Sequence, residues 1–145
     1  STAVYYELQI NKRTACGCFK DVYDTRDQDP NRTNTGTPRA KWVSRVKRAF
    51  AQRQVKNIEG LFRPRLHEMS KLDIYRGWAT VAWMMSQPGK YGEFLKVMKA
   101  EWPGGHEWGY TEGKGKAQIK AFQKVFKMTT RQVDTAVALF VKKMK

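Results

Sequence analysis

An all-α domain of about six helices, with one long irregular loop near its N-terminus, is the fold this sequence predicts. Three observations predict it. Apolar residues recur at three- and four-residue steps in several separate segments, two segments open on helix-capping signals, and no segment alternates clearly enough to be a strand. With 145 residues, 41% of them hydrophobic, the chain is long and apolar enough to bury one core over residues 1–145. No apolar run approaches the roughly 20 residues of a membrane span.

The first helix is expected over Thr2–Arg13, with Val4, Tyr5, Leu8 and Gln9 on adjoining turns. Residues 14–38 then break the pattern. "TACGCFKDVYDTRDQDPNRTNTGTP" is full of Asp, Asn, Thr and Gly, whose side chains or backbone freedom favour turns. A connection this long in a small domain reads as a functional loop or an excursion. Arg39–Gln54 is a helix with Trp42, Val46 and Phe50 facing the core. Asn57–Met69 holds only short apolar pieces, broken by Gly60 and Pro64.

Ser70 followed by Asp73 resembles a capping box and opens a helix over Lys71–Ser86. Leu72, Tyr75, Ala79, Ala82 and Trp83, with Trp78 and Met85 beside them, make that helix apolar on more than one stripe, so it is the central, buried one. "SQPGK" ends it, and Tyr91–Ala100 follows with Phe94, Leu95 and Met98 inward. Residues 101–115, rich in Gly and aromatics, read as a loop. Lys116–Phe126 returns to helix with Ile119, Phe122 and Phe126, and Thr129 with Gln132 caps a last helix showing Val133, Val137, Phe140 and Met144 on one side. Trp42, Tyr75, Ala79, Trp83, Phe94, Phe122, Val137 and Phe140 are expected in one core.

The net charge is +15, from 28 Lys and Arg against 13 Asp and Glu. Such a field attracts polyanions without regard to sequence. Residues 1–38 are balanced, with five basic and five acidic side chains. Arg39–Lys56 carries seven basic residues and no acid, and Lys114–Lys145 carries nine basic residues and the single acid Asp134. Both tracts read as helices. The candidate polyanion-binding residues are Arg45, Lys47 and Arg48 on the first and Lys116, Lys120 and Lys124 on the second. The alternative for both tracts is a solvated basic face. Nucleic acid is a conceivable partner but not the favoured one, because most aromatics that could stack on bases are taken by the core stripes. A helical scaffold or assembly subunit is a third reading.

No catalytic or metal-binding set is legible. Both histidines precede a Glu, but the zincin motif H-E-x-x-H needs a second His one helical turn on, and Lys71 and Tyr110 stand there after His67 and His106. Cys16 and Cys18 in "CGC" cannot alone supply four zinc ligands; inert thiols, a strained disulfide or redox pair, and a partial metal site all stay open. "GKGK" lacks the spacing of a phosphate-binding loop, and "NRT" at Asn31 fits a glycosylation triplet of a kind frequent by chance.

The order of elements resembles a known family. "STAVYYELQ" is similar to the end of the W-x-x-E segment of gluzincin-type, peptidase MA-like metallopeptidases, with Ala3, Tyr6 and Glu7 matching its Ala, aromatic and second Glu and Ser1 standing where a Gly is common. "SKLDIYRGWATVAWMMSQPGKYGEFLKVMKA" resembles the central helix and the helix after it in uncharacterised bacterial members, and "AFQKVFKMTTRQVDTAVALFVKKM" resembles their closing helix pair. The resemblance covers most of the chain outside residues 14–38, through apolar patterns. It implies a helical C-terminal region forming one wall of a cleft, a third zinc ligand just before Ser1, and zinc, if present, held by a full-length parent. It further implies the N-terminal remainder of the same protein as partner, a protein or peptide substrate for that parent, and a secreted or cell-envelope location.

Overall fold

The computed structural model describes Tyr5, Tyr6, Gln9, Ile10, Arg13, Thr14 and residues 37–62, 69–102 and 112–145. Among them the fold is all-α. Helices α1 (Arg39–Ala51), α2 (Lys71–Met85), α3 (Lys90–Glu101), α4 (Glu112–Phe126) and α5 (Thr130–Lys143) follow in order, with a 3-10 turn at Ile58–Leu61 between α1 and α2. Tyr5, Tyr6, Gln9 and Ile10 are helical too, within the first helix expected over Thr2–Arg13, but Arg13 is in a strand, so that helix ends before it; Val4 and Leu8 lie outside the described residues.

Beside the helices there is one short ladder among the described residues. Strand β1 (Arg13–Thr14) pairs antiparallel with β2 (Thr37–Pro38), Arg13 opposite Pro38 and Thr14 opposite Thr37. Two residues are too few to show alternation in a sequence. Their pairing ties the two ends of the 14–38 segment together, and Pro38 then serves as N-cap of α1.

Helix α2 is the centre of the molecule, as its apolar breadth predicts. It packs against α1, α3 and α5, while α4 packs mainly on α3. Ser70 and Asp73 form a full capping box: the Asp73 amide donates to Ser70 Oγ at 3.2 Å and the Ser70 amide to Asp73 Oδ2 at 2.9 Å. A cap of this kind contributes about 1 kcal/mol. Asp73 is fully buried at this helix start. Burial pushes its carboxyl up, but the Ser70 amide and hydroxyl and the Lys56 ammonium together hold it below the ordinary carboxylate value. The same device starts α5, where Thr129 and Gln132 cap each other.

Seven of the eight residues expected in the core are buried, and Phe140 is half-buried against it. Aromatic contacts knit the layers. Trp42 of α1 meets Tyr75 and Trp78 of α2 edge-on, with ring centroids 4.9 and 6.2 Å apart. Trp83 lies 4.8 Å from Phe126 of α4, and Phe94 of α3 lies 4.8 Å from Phe122. Leu95, expected inward, is instead 49% exposed. The buried face of α3 is centred on Phe94, with Tyr91, Val97 and Met98 packed beside it, which turns Leu95 out.

Helix α4 begins at Glu112, four residues before the expected Lys116, and takes in Gly113 and Gly115. Glycine weakens a helix by about 1 kcal/mol relative to Ala, but tertiary packing can outweigh that. Here α4 lies along α3, with Gly115, Ala117 and Ala121 buried, small enough for the two helices to lie close. The turn into α3 does require its glycine: Gly89 has φ +75°, a left-handed conformation that a side chain would strain.

Candidate functional site

Three structural regions bear on function: a polar clamp, the two basic tracts, and a pocket.

The clamp was not legible in the sequence. Arg76 of α2 is 2% exposed, and it donates to Asp134 of α5. The same Asp134 oxygen accepts the Ile58 amide at 2.9 Å, and the Thr130 hydroxyl donates to Glu59 of the 3-10 turn. The guanidinium also lies over the Phe50 ring, 5.4 Å from its centroid. Burial pulls Arg76 down from its usual value, against the charge of Asp134. Burial raises Asp134, opposed by Arg76 and by the Ile58 amide. One carboxylate thus fastens the segment after α1 to both α2 and α5. This constellation joins structure and exposes no reactive group, so it is a structural clamp. Asp134 had stood out only as the single acid in a basic tract.

The basic tracts are dispersed and partly engaged. Arg45 is half-buried beside Tyr75; burial raises the Tyr75 phenol, and the Arg45 guanidinium, hydrogen-bonded to it, pulls the other way. Lys47 Nζ donates to the Met144 carbonyl at 3.1 Å, and Arg48 is exposed. On α4, Lys120 Nζ lies 3.0 Å from Glu101, and Lys124 contacts the other oxygen of the same carboxylate. Lys124 and Lys120 in turn hold Glu101 below its usual value. Lys116 is exposed on the same helix. The two sets do not merge into one track: α1 packs on α2 and α5, and α4 chiefly on α3. The sequence shows charge but not the neutralising Glu101, which comes from a different helix.

The pocket lies where α1, α2, α5 and the N-terminal helical residues meet, with a volume of about 270 Å³. Its apolar lining includes Val43, Trp78, Ala82 and Phe140, and its charged lining is Arg39, Lys143 and Lys145. Tyr5, Gln9, Ser86 and Met144 line it as well, and among the described residues no acidic side chain does. Trp78 is 2% exposed, and its indole N–H has no hydrogen-bond partner among the described residues. The sequence assigned Trp78 only to the flank of a core stripe. The pocket's cations come from the start of α1 and the end of α5, over a hundred residues apart, and could not be grouped in advance.

Among the described residues no three His, Cys, Asp or Glu side chains converge as a metal-binding group. Cys16, Cys18, His67 and His106 lie outside those residues. No described helix is long and apolar enough to cross a membrane. Comparison of the chain with protein-family models, with curated proteins and with solved structures finds no match.

Proposed function

We propose that this chain forms the helical wall of a zincin-like, gluzincin-type cleft and carries no catalytic set of its own. The observation that carries the reading is the seat of the N-terminal helical residues. Tyr5 and Gln9, one helical turn apart, face a pocket lined by Trp78 and Ala82 of the central helix and Phe140 of the last. The resemblance implies such a seat for the helix bearing the third zinc ligand. The order of a broad central helix, a short helix and a closing pair, each packed in turn, supports the same reading.

In this reading zinc, held by the N-terminal remainder, supplies water activation for hydrolysis. The described residues of this chain do not fit a zinc site, and no step through the metal is assigned to them. Their part is mechanical: α2 and α5 bury one face of the ligand-bearing helix, and the Arg76–Asp134 clamp keeps α2 and α5 in register beneath it. The reading frame preceding Ser1 tests the assignment. An H-E-x-x-H helix followed by W-x-x-E next to Ser1 is expected, and a frame without either motif overturns it.

The second reading, a polyanion-binding module, is favoured by one observation. Helices α1 and α5 pack together, and the Lys47–Met144 contact brings the Arg39–Lys56 tract beside the lysines at the end of α5. With Arg45 and Lys47 engaged and Lys120 and Lys124 sharing Glu101, binding to duplex oligonucleotides at ~150 mM salt should stay in the non-specific range, about 10⁻⁴–10⁻⁶ M. A fluorescence-anisotropy titration checks this. Submicromolar binding, weakened by Arg48→Glu and falling steeply with salt, would make the polyanion reading the functional one.

A further inference from the structure

We draw no further inference here: the strongest candidate, the exposed apolar patch of Tyr6 and Ile10 one helical turn apart on the N-terminal helical residues, carries nothing because nothing in the structure shows what covers it.

Discussion

Asp134→Ala should destabilise the domain by about 3–5 kcal/mol, the loss expected when one partner of a buried ion pair is removed. The magnitude follows from the asymmetry of the pair. Arg76 is 2% exposed and cannot reach water when its carboxylate is gone, whereas Asp134 is 27% exposed. The Ile58 amide would lose its acceptor at the same time. The two-fold substitution Arg76→Met with Asp134→Leu removes both charges and should recover most of the loss, because well-packed apolar replacements of buried pairs are often neutral or stabilising. Urea unfolding of the two variants beside the parent protein decides it. A loss under ~1 kcal/mol for Asp134→Ala would mean that Arg76 finds solvent or another partner, and the clamp would not be what joins α2 to α5.

The second large effect is at Trp83. Trp83→Ala should cost about 3–5 kcal/mol, the range for emptying a buried aromatic site. The side chain is 7% exposed and its ring lies 4.8 Å from Phe126, so it joins the central helix to α4. Phe126 in turn is in ring contact with Phe94 and Phe122, which limits how far the cavity can close. Leu95→Ala is the internal comparison. It lies on the neighbouring helix α3 but is 49% exposed and should change stability by less than about 0.5 kcal/mol. Equal effects at the two positions in thermal or urea unfolding would contradict this account of the core.

What could be read from the sequence was what depends on local pattern. The capping residues Ser70 and Thr129 mark the starts of α2 and α5 because a side-chain oxygen must meet an amide three residues on. The central position of α2 was legible because a helix apolar on several stripes has to be covered on several sides. Boundaries set by tertiary contact were not legible: Gly113 and Gly115 argue for a loop, yet α4 packs along α3 with Gly115 buried and starts at Glu112. The same holds for the candidate site. Arg39, Lys143 and Trp78 belong to three helices, and nothing in their spacing says that they line one pocket. Nothing in the sequence pairs Arg76 with Asp134, since a long-range ion pair leaves no periodic trace in the chain. The charge count overstated the basic faces for a related reason. It could not show Glu101 lying between Lys120 and Lys124, or Lys47 turned to a carbonyl at the end of α5.

The proposal that this chain is the non-catalytic wall of a zincin-like cleft is tested most directly by zinc content. Residues 1–145 and the product of the whole reading frame would each be dialysed against a weak chelator and their metal measured by atomic emission. The account predicts about one zinc per chain for the whole product, as for a catalytic site with three protein ligands, and substoichiometric zinc for residues 1–145. Stoichiometric zinc on residues 1–145, or none on the whole product, would contradict it.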